Sequence, residues 1–246
     1  MFVDIHSHIL PGIDDGAANA AETLAMLKLA AQDRTRHIVA TPHFSPQNTS
    51  DVLRAKTDEL LEQAVLNNID IKIYPGSEVL LGPDTPGLIE NGKIAAINGS
   101  RYILVEFPMT RIPVFAPEIL YRIQLKGLIP IIAHAERYAD VIADPACLRE
   151  YVERGMLVQI TAGSLTGFFG RKVRNTAWVL LRSGMAHFVA SDAHGSRGRT
   201  PLLSKAAAMV EKKLGEKLMR ELFYSNGMAV LENRELYTED QAIALK

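Results

Sequence analysis

The chain has 246 residues, 48% of them hydrophobic and 22% charged, with a formal net charge of −1. That length and mix suit one domain, 1–246, with a sizeable core, and the scattered Lys and Arg form no basic stripe of the kind that marks a nucleic-acid surface. The single cysteine, Cys147, excludes an intramolecular disulfide. No secretory leader opens the sequence and no apolar run is long enough to span a bilayer, so the expected setting is cytoplasmic.

Short β-branched runs alternate with longer helical patterns. Residues 2–6 form the first predicted strand and 17–33 the first helix, with Leu24, Leu27 and Ala31 at helical spacing. Residues 37–41 are the second strand, stopped by Pro42, and 51–67 the next helix, capped by Ser50 or Asp51. The third strand, 71–74, ends at Pro75-Gly76, and a looser Gly- and Pro-rich stretch follows to Gly99. Strand four is 102–107, with a helix at 114–126. Strand five is 129–133, with a helix at 145–154 that places Cys147 as a small buried residue rather than a nucleophile. Strand six is 157–161; after a loop at 163–170 a helix runs to Ser183, and strand seven is 187–191. Helical stretches at 201–214 and 215–225 precede a tail.

Seven strands, each followed by a helix or helix-containing segment, imply a parallel sheet. The length favours a (β/α) barrel in a distorted, seven-stranded, TIM-like form. No Gly-x-Gly-x-x-Gly follows the first strand, which removes a dinucleotide-binding reading.

Ligand-type residues gather at one end of these strands. His6 and His8 close strand one, and alternate positions on a strand share a face. His43 follows strand two, Glu78 follows strand three, Glu106 ends strand four and His134 follows strand five. Asp192 and His194 follow strand seven. Barrel enzymes build their active sites at this C-terminal end. Any one of these residues could be a core histidine or a solvated charge; their shared register is what favours a metal site. A carboxylate such as Glu106 in Tyr-Ile-Leu-Val-Glu-Phe-Pro would be costly to bury without a cation. His37 and His187 lie at the opposite ends of their strands and read as structural, and Asp4 as a supporting residue.

The opening Asp4-Ile-His-Ser-His8 with Asp14-Asp15-Gly16 resembles the first motif of the PHP (polymerase and histidinol phosphatase) superfamily. More narrowly, an ordered set of segments resembles the bacterial manganese-dependent protein-tyrosine phosphatases of capsular and exopolysaccharide loci, the CpsB/YwqE type. These segments are His37-Ile-Val-Ala-Thr-Pro-His43, Pro75-Gly-Ser-Glu78, 100–108, Ile132-Ala-His-Ala-Glu-Arg-Tyr138, Ser164-Leu-Thr-Gly-Phe-Phe-Gly170 and Ala190-Ser-Asp-Ala-His194 with Arg199. Ala135 departs from the proline common in relatives, and Gly195-Ser196 from their usual asparagine.

The resemblance implies three divalent metal ions, manganese first and iron, zinc or magnesium as alternatives. His6, His8, Glu78 and Asp192 would hold the first; Glu78 as a bridge, Glu106 and His134 the second; Asp15, His43 and His194 the third. Asp14 is the alternative to Asp15. Arg137 and Arg199 would bind phosphate, with Arg197 a competitor, and His194 could donate a proton if it is not committed to metal. The implied reaction is phosphotyrosine hydrolysis by a hydroxide bridged between metals. Its substrate would be a phosphotyrosine protein, a membrane-associated tyrosine kinase of polysaccharide synthesis. The other readings are a PHP phosphoesterase for small phosphomonoesters (histidinol phosphate) or nucleic-acid ends, and a metal-binding module without turnover.

Overall fold

The computed structural model describes residues 1–236. The last ten positions of the expected domain and tail lie outside the described residues. Among the described residues eight strands, all parallel, form two sheets. β1 (Phe2–Ser7), β2 (Thr35–Ala40) and β3 (Lys72–Pro75) make the smaller one. β4 (Glu78–Leu80), β5 (Tyr102–Glu106), β6 (Ile129–Ile132), β7 (Leu157–Thr161) and β8 (Phe188–Ala190) make the larger.

A closed seven-stranded barrel is therefore not what the ladders draw. Pro75 ends β3 because it has no N–H to donate, and pairing resumes three residues later at Glu78, where the sequence reading expected a loop. Two single bridges link the sheets, Ser7 with Ala193 and His43 with Glu78.

Helices cover the outer faces. α1 (Ala20–Gln32) starts three residues later than expected because Asn19 caps it, its side-chain oxygen accepting from Glu22 N–H at 3.1 Å. α2 (Ser50–Leu66) buries Leu53, Leu60 and Ala64, and its cap position is Thr49, not Ser50 or Asp51. α3 (Thr85–Glu90) and α4 (Ala116–Gln124) follow, then α5 (Ala139–Ala143), which the sequence reading did not anticipate. A 3-10 turn (Pro145–Leu148) precedes α6 (Arg149–Glu153), and Cys147 on that turn is half-buried, its thiol pushed up to about 11 by burial. α7 (Ala162–Thr166) occupies the first half of the expected loop before α8 (Arg171–Arg182). α9 (Ser204–Leu214), α10 (Glu216–Arg220), a π turn (Glu221–Ser225) and α11 (Asn226–Leu231) carry helix further than the reading did.

Alternate strand positions sort the core. Ile103, Val105, Ile132, Val158, Ile160 and Val189 pack outward against α4, α8 and α9, while Tyr102, Leu104, Ile131, Leu157, Phe188 and Ala190 form an inner layer with Val3, Ile5 and Val39. Burial on both faces is what parallel strands require. Among the described residues no helix is long and apolar enough to cross a membrane.

Candidate metal centre

The inner apolar rows continue straight into polar chemistry. With a side-chain period of two, Tyr102 and Leu104 lead to Glu106, Leu157 leads to Gln159, and Phe188 and Ala190 lead to Asp192. The strands therefore deliver their functional groups to one end by simple alternation. His134 and Asp192 sit just past their strands at φ 32° and 52°, left-handed conformations that cost roughly 1–3 kcal/mol in non-glycine residues. The fold holds both against that preference.

Every residue expected as a ligand reaches one cluster, buried around Glu78 and open to solvent at Asp15 and His43. Glu78, 1% exposed, is its hub: Oε1 lies 3.4 Å from His6 Nε2 and 2.7 Å from His134 Nε2, and Oε2 lies 3.2 Å from both His8 Nε2 and His43 Nδ1. Asp192 Oδ1 stands 3.4 Å from His6 Nε2 and 3.6 Å from His8 Nε2. Glu106 lies 3.2 Å from His43 Nδ1 and 3.6 Å from His134 Nε2. Asp15 Oδ1 completes the set, 3.5 Å from His43 Nε2 and 3.4 Å from His194 Nε2.

Three groups of donors lie close enough to converge on a cation: His6, His8 and Asp192; His8, Asp15, His43 and His194; and His43, Glu78 and Glu106. The grouping differs from the implied one at four residues. Glu78 is absent from the first set, and His8 also joins the set of Asp15 and His194. His43 stands between the second and third groups, and His134 contacts the Glu78 and Glu106 carboxylates without joining a tight set.

The outer nitrogens of the imidazoles test whether this donor set fits a metal. His6 Nδ1 faces Gln159 Oε1 at 3.0 Å, His8 Nδ1 faces Asp14 Oδ2 at 2.7 Å, and His194 Nδ1 faces the Asp192 carbonyl at 3.0 Å. Each partner is an acceptor, so each Nδ1 carries a proton and each Nε2 is the inward-facing atom, the one that would give its lone pair to a cation. Metal-ligating histidines have this arrangement. His6 and His8 bring their Nε2 atoms within 3.2 Å of each other, an approach that a shared cation rationalises. The residues fit a divalent ion.

Asp14 and Asp15 have separate tasks. Asp14 turns back on the backbone, accepting from Gly16 N–H and His43 N–H while holding His8. Burial works to raise its pKa, but these bonds, His8 first, hold it down at about 2. Asp15 is the one that faces the other donors. Gly16 allows the turn: a Cβ there would fall 2.2 Å from the His8 carbonyl oxygen.

Both expected arginines arrive at the same carboxylate. Arg137 Nη1 donates to Asp192 Oδ2 at 2.7 Å, and Arg199 Nη2 lies 2.5 Å from that oxygen. Arg137 also stacks over Phe169, its guanidinium carbon 4.5 Å from the ring centroid. Arg197 is exposed. His37 bonds Tyr74 Oη at 2.8 Å and His187 accepts from Val158 N–H at 3.1 Å. Asp4 accepts from Ser191 N–H at 2.9 Å, tying β1 to the end of β8, and burial lifts its pKa to about 6.

Gln159 was missed by sequence reasoning. It anchors His6 and accepts from His134 N–H at 3.0 Å. The signal was present: strand six alone offered no ligand, yet carried an amide inside Leu-Val-Gln-Ile-Thr.

The capsular polysaccharide synthesis CpsB/CapC family model matches residues 2–232. Tyrosine-protein phosphatase YwqE of Bacillus subtilis is 35% identical over 98% of this chain and 93% of its own length. Tyrosine-protein phosphatase CpsB of Streptococcus pneumoniae is 30% identical over 93% of this chain and 98% of its own. A crystal structure from work describing YwqE and CpsB as metal-dependent tyrosine phosphatases matches with a TM-score of 0.92 at 34% identity, covering 96% of both chains. A β-aspartyl dipeptidase from Fervidobacterium islandicum, 13% identical with a TM-score of 0.56 over 94% of this chain and 74% of that one, shares the fold alone. The chain thus belongs to the CpsB/CapC family of capsular polysaccharide synthesis proteins.

Proposed function

We propose that this protein is a metal-dependent phosphotyrosine protein phosphatase. The observation that carries the reading is that three imidazoles, His6, His8 and His194, each commit Nδ1 to an acceptor and turn Nε2 to carboxylates. Three divalent ions, manganese ahead of iron, zinc or magnesium, would be held by His6, His8, Asp15, His43, Glu78, Glu106, His134, Asp192 and His194. When bound, such ions acidify water and offset charge on phosphoryl oxygens.

The protein's own groups account for the rest. Arg137 and Arg199 converge on Asp192 Oδ2 and can turn their remaining N–H groups to phosphate oxygens, a geometry suited to guanidinium. The buried Arg199 Nε has no partner among the described residues and is a spare donor. His194 belongs with the ligands rather than the acids: burial and nearby His8 lower its pKa to about 4, leaving it neutral at pH 7. A tyrosine leaving group, with a pKa of about 10, needs less protonation than a serine alkoxide would. No cysteine is placed for the covalent route, since Cys147 lies on a turn before α6 with a raised pKa.

The two sheets read as a distorted seven-stranded barrel in one domain, the third strand being broken into β3 and β4. The bridges at Ser7–Ala193 and His43–Glu78 support that reading. The substrate we infer is a membrane-associated tyrosine kinase of polysaccharide synthesis, met from the cytoplasm, with no nucleic-acid partner.

Manganese-loaded protein should hydrolyse a phosphotyrosine peptide in preference to histidinol phosphate or a phosphorylated oligonucleotide. A preference for either of the latter two would overturn the assignment. Metal binding without turnover would point to a regulatory module.

A further inference from the structure

Beside the arginines stands an aromatic pair, Phe168 and Phe169. α7 ends at Gly167, whose φ of 95° turns the chain sharply outward, and the next two residues are Phe168 and Phe169. Phe169 is half-buried, with the guanidinium carbons of Arg137 and Arg199 at 4.5 and 6.0 Å from its ring centroid. Phe168 meets Phe169 edge-on, centroids 5.0 Å apart and planes at 81°, and leaves 56% of itself exposed. Phe169 thus has an evident task in holding the arginines, while Phe168, on the other side of that contact, leaves a large apolar ring exposed.

We propose that Phe168, backed by Phe169, is the platform for the aromatic ring of the substrate and makes the site select aryl over alkyl phosphomonoesters. This rests on the phosphatase reading. A phosphate cradled by Arg137 and Arg199 is one side chain away from Phe168, so the ester group it carries falls within reach of that ring. A phenyl ester presents a flat face for edge-to-face or offset stacking. An alkyl ester has none, and the phosphate contacts alone cannot distinguish the two.

The test uses full-length, manganese-loaded protein as wild type, Phe168→Ala and Phe168→Tyr. Calorimetry with phenylphosphonate and methylphosphonate, neither of which is hydrolysed, gives an aryl-to-alkyl affinity ratio. That ratio should fall about three- to tenfold in Phe168→Ala, the usual worth of an aromatic pair, and return in Phe168→Tyr. The kcat/KM ratio for phenyl phosphate over glycerol phosphate should follow it, with the loss carried by KM. An unchanged affinity ratio in Phe168→Ala would overturn the platform. Binding is read without turnover, so failure of the wild type to cleave any aryl phosphate would overturn the phosphatase reading alone.

Discussion

The two ends of the strands put the same residue type to opposite uses. At the C-terminal ends, five histidines crowd around Glu78, Glu106, Asp15 and Asp192, with ring centroids as close as 3.9 Å for His8 and His194. Towards the N-terminal ends, His37 and His187 stand apart, each bonded to a neutral partner, Tyr74 or a backbone amide. What separates them is the company of buried carboxylates. His8, despite burial, is lifted to about 10 by the carboxylates of Asp14 and Glu78. His187, buried with no carboxylate facing it, falls to about 4, and His194 falls as far because burial and neighbouring His8 outweigh its carboxylates. Imidazole chemistry here is set by the balance of neighbours and depth.

The contrast breaks most severely if a donor is removed. Asp192→Asn or His134→Ala should cut kcat/KM by on the order of 10³-fold, the scale of several kcal/mol of lost metal-ion catalysis, with the far-ultraviolet circular dichroism spectrum unchanged. Wild-type rates in either variant would remove the cluster from the chemistry. Arg137→Lys or Arg199→Lys keeps the charge but loses the planar fork, and a drop of about 10²-fold is expected, again read in kcat/KM. A smaller effect belongs to the acceptors behind the rings. Asp14→Asn and Gln159→Leu should weaken manganese binding by about 10- to 100-fold in a calorimetric titration, leaving the inward ligands in place. Full affinity in both would mean that the Nδ1 contacts of His8 and His6 orient nothing.

These cases show what the sequence carried and what it did not. The gathering of the ligand-type residues was legible because strand alternation is local: from the spacing of His6 and His8 or the end of Tyr-Ile-Leu-Val-Glu106, the face and the end of the strand follow. The roles of Asp14 and Asp15 were not, because adjacent carboxylates differ only in which way a turn points them, and the tight packing of Gly16 against His8 decides it. The break between β3 and β4 was half visible, as Pro75-Gly76. The resumption of pairing at Glu78 depends on Phe44 N–H and the Pro42 carbonyl, more than thirty residues away. Gln159 was hidden because an amide in an apolar strand announces burial but not its partner. The left-handed backbone at His134 and Asp192 left no mark in residue type.

The mildest test lies at the other end of the strands. An unfolded histidine takes up a proton below about pH 6.5, whereas folded His187 does so only below about 4. Between those values the unfolded state binds more protons. The stability owed to neutral His187 is complete above pH 6.5 and drains away as the pH falls towards 4, by about 3 kcal/mol in all. His187→Gln retains an acceptor for Val158 N–H but cannot titrate, so its stability should lose that much less between pH 6.5 and 4. Urea denaturation of metal-free wild type and variant across this range measures the difference. Parallel curves would mean that His187 is already solvated, and that the two ends of the strands differ less than their burial implies.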